Sequence, residues 1–230
     1  MTEISQQLAL MQLSDSFFPS GSFTFSHGLE TLVQKGKINS QAEILYFLKI
    51  LLRNKVGVSD VVALIHSYRG IKNGNLEAVK TADKQLFIQT AIAKNRETQR
   101  QSGRALLMVA NSTWQDERLK ILNQDAIEGK IHCLHPVIFG TISSVAGLKE
   151  QDAVLAFLHG LVTNILGAAI RLGILGHIQT QQILLQLVPD IEAVCSTAPS
   201  MNLEEMWSCT PLIDIAQMQH SKLPQRLFAN

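Results

Sequence analysis

Charged side chains are scarce in this sequence. Asp, Glu, Lys and Arg make up 17% of the 230 residues, whereas a soluble domain usually has roughly 25%. Hydrophobic residues reach 46%, which is enough for a full core at this length. The composition therefore fits either a domain with well-buried helices or one whose surface is partly covered by a partner. The formal net charge of +1 gives no global field that would recruit nucleic acid or an anionic membrane.

Cysteine is also scarce. The three cysteines are odd in number, widely spaced and without a CxxC pair: Cys133, Cys195 and Cys209. This pattern is not a disulfide framework, and it favours a reducing compartment.

Export and membrane signals are absent or weak. The first ten residues have no basic n-region, so we predict no signal peptide. The longest apolar stretch, residues 153–175, contains His159, Asn164 and Arg171 and is interrupted by glycines. Since membrane spans rarely carry an internal arginine, we interpret this stretch as a buried core helix.

Strand alternation is almost absent, and helical periodicity dominates. Ser40 to Glu43 forms a capping box ahead of an apolar-rich segment. Pro136 stands where the first turn of another helix tolerates it. We find no internal repeat and no low-complexity linker. The sequence predicts an all-α, single-domain helical bundle of about ten helices over residues 1–230.

Catalytic motifs are missing. No GxxxxGK[ST] loop occurs, since Gly129 and Lys130 are followed by Ile131. No GxSxG occurs either. The pair Ser26 and His27 is the one hint of a hydrolase, but neighbours on a helix point about 100° apart. The alternative is a polar helix start. We predict that the chain is not an enzyme and needs no cofactor.

One cluster could bind a metal. His132, Cys133 and His135 offer two imidazoles and a thiol, which suit nickel or zinc. No second cluster completes a four-ligand site, and His135 precedes Pro136 as a plausible helix-entry residue. These three residues are weak metal candidates, and a direct nickel chaperone is the alternative function.

Three arginines are spaced by four: Arg96, Arg100 and Arg104. On a helix they would stack on one face. Such a stripe could meet an acidic partner, or it could be a solvated face balanced by Glu97. Both interpretations remain open.

Three segments are hard to explain as generic helix. The first, residues 14–30, places four phenylalanines and a proline in a short polar loop, where aromatic rings must enter the core or await a partner. The second is HPVIFG at 135–140. The third, residues 210–228, stays apolar almost to the chain end, where frayed residues are the norm. It must dock on its own core, on another subunit or on a partner.

These segments resemble the urease accessory protein UreF family over nearly the whole chain. The matching patterns are DSxFPxGSFxxSxGLE at 15–30, RE…G…LL at 96–107, HPVxFG at 135–140 and DIxxMxHxxLxxRLF at 214–228. The sequence departs from the family at 174–181, where PLGQxxGQ is replaced by ILGHIQTQ.

The resemblance implies an all-α, cytoplasmic, homodimeric protein that binds UreD (UreH in some species) and the GTPase UreG. That assembly would deliver nickel to the urease apoprotein, with no partner nucleic acid or membrane. Carried over by residue, Phe23 and Arg226 would face UreG. Glu30, Asp214 and His220 are weaker candidates for partner contact, and helix capping is the alternative for Glu30.

Overall fold

The computed structural model describes residues 2–15, 18 and 25–229, and that part of the chain contains helices and no strand. The predicted all-α fold is confirmed. The α-helices are α1 (Glu3–Ser14), α2 (Leu29–Gln34), α3 (Gln41–Leu51), α4 (Val61–Lys72), α5 (Leu76–Gln89), α6 (Ala93–Trp114), α7 (Glu117–Ile127), α8 (His135–Val145), α9 (Glu150–Arg171), α10 (His177–Gln186), α11 (Val188–Thr197) and α12 (Pro211–Gln219). A π-helix, Leu52–Asp60, joins α3 to α4, and short 3-10 turns occupy Ala198–Ser200, Leu203–Glu205 and His220–Lys222.

The helix starts follow the local sequence signals. The Ser40 hydroxyl accepts from the Glu43 amide at 3.3 Å, and the Glu43 carboxylate accepts from the Asn39 amide at 2.8 Å. Ser40 therefore caps α3 as predicted, whereas the Glu43 carboxylate binds the amide of Asn39 rather than that of Ser40, which a capping box would require. Pro136 lies in the first turn of α8, as predicted.

Helices α4 and α8 pack closely at the centre of the core. A Cβ at Gly140 of α8 would lie 2.2 Å from the Leu64 carbonyl oxygen of α4. The Ser67 hydroxyl of α4 donates to the Val137 carbonyl at 2.9 Å. Because Gly140 has no side chain, α4 and α8 can lie this close together.

Helix α9 is the apolar stretch noted in the sequence. By length and composition it could cross a membrane, with a mean hydropathy of 1.9 over its most apolar window, but 56% of that window is buried in the structure. It packs against α1, α8 and α11, and residues such as Leu158 and Ile165 are fully buried. The interpretation as a core helix fits this packing.

The segment before α12 is hydrogen-bonded to the backbone of the π-helix. The Cys209 amide donates to the Asn54 carbonyl at 2.8 Å, and the Trp207 amide donates to the Val58 carbonyl at 3.3 Å. These two bonds join the segment before α12 to carbonyl groups of the π-helix, a rare form of helix. This contact leads the chain towards α2, where α12 packs.

Candidate functional site

Helix α12 packs against the beginning of α2. Gly28 precedes α2 with a positive φ of 87°, and a Cβ there would lie 3.1 Å from the Ile213 carbonyl oxygen of α12. A side chain at this position would be strained by its backbone and crowded by α12. The glycine therefore lets the two helices meet.

Glu30 fastens the chain end to this helix pair. Its side chain is fully buried; Oε2 lies 2.7 Å from Nε2 of the buried His220, and Oε1 accepts from the Leu227 amide at 2.6 Å. A buried carboxylate is costly unless it is paired and hydrogen-bonded. One residue of α2 thus ties together the end of α12 and the C-terminal tail.

The tail has two further attachments. Gln34 of α2 donates from Nε2 to the Gln225 carbonyl at 2.9 Å. The ring of the buried Phe228 lies 4.4 Å below the Arg171 guanidinium carbon, a cation–π distance. The backbone on both sides of Arg226 is therefore fixed.

Between these attachments the tail presents exposed side chains. Arg226 is exposed and makes no ion pair or hydrogen bond with the described residues. Leu227 is 67% exposed. On α12 three apolar residues repeat every third position and point outwards: Leu212, Ile215 and Met218. We call these five residues the C-terminal surface. Exposed apolar side chains accompanied by an arginine are typical of protein-binding sites.

The three metal candidates lie in different surroundings. His132 stacks on Phe87, with ring centroids 3.7 Å apart. Cys133 is fully buried, and burial raises the pKa of its thiol to about 12, which disfavours the thiolate that metals need. Within the described residues, no three His, Cys, Asp or Glu side chains are grouped closely enough to hold a metal. The three therefore do not form one donor set.

His135 instead lines a cavity of about 100 Å³ together with His27 and Asp60. Burial lowers the pKa of both histidines to about 4 and raises the pKa of Asp60 to about 6. The hydroxyl of the fully buried Ser26 accepts from the Glu30 amide at 3.4 Å. That contact is the polar helix start expected as the alternative to a hydrolase.

The chain is similar to known proteins over most of its length. The UreF family model matches residues 38–188, which is more than half of the chain. The chain belongs to the UreF family. The urease accessory protein UreF of Trichodesmium erythraeum is 83% identical over 229 residues, covering 100% of this chain and 99% of that relative. UreF 1 of Brucella melitensis is 30% identical over 97% of this chain and 92% of its own length. UreF of Bradyrhizobium is 28% identical over 99% of this chain and 94% of its own length.

The predicted contact residues of this UreF-family chain differ in exposure. Arg226 is exposed at the surface, whereas the side chains of Glu30 and His220 are buried. Asp214 is 28% exposed and pairs with Lys55, Oδ1 to Nζ at 2.8 Å. Phe23 lies outside the described residues. Phe18 and Phe25 from the same loop are buried, so these two rings enter the core.

Sequence reasoning missed the α12 part of the C-terminal surface. It treated the apolar residues after Pro211 as one docking segment and did not separate the faces. The spacing of Leu212, Ile215 and Met218 was the available signal, because residues three apart share a helix face.

The cavity predicts a pH dependence of stability in this UreF-family chain. Between about pH 6.5 and 4, His27 and His135 are protonated in the unfolded chain but remain neutral in the folded one. Because the unfolded state binds more protons, the free energy of unfolding falls as pH falls through this range. Asp60 has the opposite effect. Its carboxyl group keeps its proton up to about pH 6 in the folded state but loses it near pH 3.8 in the unfolded state, so its contribution to the free energy of unfolding falls as pH rises between these values.

We therefore expect Asp60→Asn to steepen the loss of unfolding free energy between pH 7 and 5, and His135→Gln to flatten it. Urea unfolding followed by circular dichroism at several pH values measures both slopes. Equal slopes in the two variants would contradict this assignment of the cavity groups.

Proposed function

We propose that this chain is a scaffold for urease maturation that binds UreD (UreH) and recruits and regulates the GTPase UreG. The assembly would deliver nickel to the urease apoprotein. Membership of the UreF family supports the role of an accessory protein rather than a catalyst. The chain would contribute surface and orientation, and UreG would contribute nucleotide chemistry.

The C-terminal surface is the observation that carries this proposal. Leu212, Ile215, Met218 and Leu227 expose apolar area, and Arg226 is exposed with no ion pair to the described residues. A guanidinium can bind a carboxylate through two parallel hydrogen bonds. Because Glu30 and Phe228 already fix the tail, a partner would pay little ordering entropy on binding.

Glu30 and His220 would act on the same partner indirectly. Both are buried and bonded to each other, so they position the tail instead of touching UreG. Asp214 would orient α12 through Lys55 and the Thr210 hydroxyl, which lies 3.1 Å from its Oδ2.

A groove between α9, α10 and α11 supports the proposed homodimer. Its wall is mainly apolar and includes Leu155, Leu184, Val188 and Ile191, and the adjacent Leu185 is 75% exposed. A patch that offers both a hollow and a projecting side chain can pair with itself about a twofold axis.

We further propose a cytoplasmic location, since the three cysteines are free.

Arg226→Ala is expected to leave the fold intact and to reduce recovery of UreG about tenfold, as for removal of an arginine hot spot. The measurement is co-purification with UreD and UreG homologues, combined with a melting curve. Lys222→Ala is the matched control, because Lys222 is also basic and exposed in the same segment. Unchanged recovery of UreG with Arg226→Ala would rule out this residue as a contact.

The alternative of a direct nickel chaperone has its own test. Calorimetric titration of the purified protein with nickel should show no saturable micromolar binding at His132, Cys133 and His135. Saturable binding that His135→Gln abolishes would favour the alternative.

A further inference from the structure

Helix α6 carries the arginine stripe, in which Arg104 is exposed and Arg96 and Arg100 are half-buried. Arg96, Arg100 and Arg104 all lie on this 22-residue helix, and at 1.5 Å per residue they span about 12 Å of its axis. We call these three residues the α6 arginine face. None of these three residues belongs to the C-terminal surface, and the proposed function gives them no role.

Neighbouring side chains hold Arg96 in place. Its guanidinium carbon lies 4.9 Å from the Phe87 ring centroid, and its Nη1 donates to the Thr90 carbonyl at 3.1 Å. The Phe87 ring in turn stacks on His132 at an interplanar angle of 9°. Stacked aromatic and guanidinium groups lose little further freedom when a ligand arrives.

Asp83 fixes the loop beneath this stack. Its buried carboxylate accepts from the His132 amide at 2.5 Å and from the Leu134 amide at 2.8 Å. The negative charge of Asp83 is therefore used inside the fold. It is not available at the surface to balance the arginines.

The α6 arginine face has little compensating charge. Glu97 lies near Arg100, with Oε2 3.4 Å from Nη1, and is half exposed. Arg104 has no carboxylate partner among the described residues, and the buried Arg100 Nε has no acceptor there. Lys84, exposed on α5 one turn before Phe87, likewise has no carboxylate partner in the part of the chain that the structure describes. This local excess contrasts with a net charge of +1 for the whole chain.

We propose that the α6 arginine face docks an acidic helical segment of a partner protein. Arginines four residues apart recur about every 6 Å along the axis, which matches Glu or Asp at every fourth position of a second helix. Each guanidinium can bind a carboxylate through two hydrogen bonds. Met108, 63% exposed one turn after Arg104, extends the row with an apolar contact.

A single short row of charges favours a protein segment over nucleic acid. The face spans about 12 Å of one helix, and the chain as a whole is nearly neutral. Nucleic-acid-binding domains usually carry a strong net positive charge.

The test uses the full-length chain and a fluorescent alanine-rich peptide of about 20 residues, long enough to form helix, with Glu at every fourth position. Fluorescence anisotropy should show saturable binding that weakens as salt is raised, because screening reduces charge attraction. Arg104→Glu should weaken binding at least tenfold, since like charges then face each other.

Lys94→Glu is the matched control, because it makes the same charge change on α6 two residues from Arg96, off the arginine row. We expect it to change the affinity less than twofold. The proposal is overturned if the wild type shows no saturable binding at low salt, or if Lys94→Glu and Arg104→Glu weaken it equally. It is also overturned if a proline-interrupted peptide of equal charge binds as well, or if a DNA duplex binds more tightly than the peptide.

Discussion

Replacing Gly103 with alanine is expected to lower the free energy of unfolding by about 3 kcal/mol, the upper range for overpacking a core. A Cβ at this position of α6 would lie 1.8 Å from the Cys133 carbonyl oxygen and 2.8 Å from its carbonyl carbon. The obstructing atoms are backbone, and Asp83 holds that loop by its His132 and Leu134 amides. The loop therefore cannot yield without breaking buried hydrogen bonds.

Gly167→Ala in α9 is the control. No heavy atom would lie within 4 Å of its Cβ, so the helix preference of alanine should stabilise the fold by up to about 1 kcal/mol. Urea unfolding of both variants gives the comparison. A Gly103→Ala protein as stable as Gly167→Ala would show that α6 and the 131–134 loop are not in such close contact.

Glu30→Ala is expected to lower the free energy of unfolding by about 2–6 kcal/mol, since each of the two groups that lose their partner costs about 1–3 kcal/mol. It would leave the buried His220 without its carboxylate and the Leu227 amide without its acceptor. The tail should then detach from α2. Hydrogen exchange followed by mass spectrometry should show faster exchange of the 221–229 amides.

Glu117→Ala provides the matched control for that variant. Glu117 is exposed and pairs with Lys120 one turn away, and such surface pairs contribute about 0.5 kcal/mol or less. Exchange in the tail should be unchanged by it. If Glu30→Ala leaves tail exchange at the wild-type rate, then Glu30 does not hold the C-terminus.

Much of the fold could be predicted from sequence because the signals were local. Ser40 and Glu43 are three residues apart, and their capping contacts depend on that one turn. Pro136 marks a helix start by its own fixed φ. The arginine spacing in α6 likewise follows from helix geometry alone.

The candidate site was harder to predict because its contacts join distant residues. Glu30 and His220 are 190 positions apart, and neither residue signals the other in the sequence. Glu30 was a candidate for partner contact with helix capping as the alternative, whereas the structure gives it a buried tertiary role. The separate surroundings of His132, Cys133 and His135 also depend on packing, since adjacency in the chain suggested one donor set.

The most direct test of the central claim is the affinity of UreG for the complex of this chain with UreD, measured by surface plasmon resonance. Wild type, Arg226→Ala and Glu30→Ala are compared at a temperature where all three are folded. We predict weaker UreG binding for both variants, although Glu30 itself is buried. Wild-type affinity in both would contradict a UreG-binding C-terminal surface held in place by Glu30.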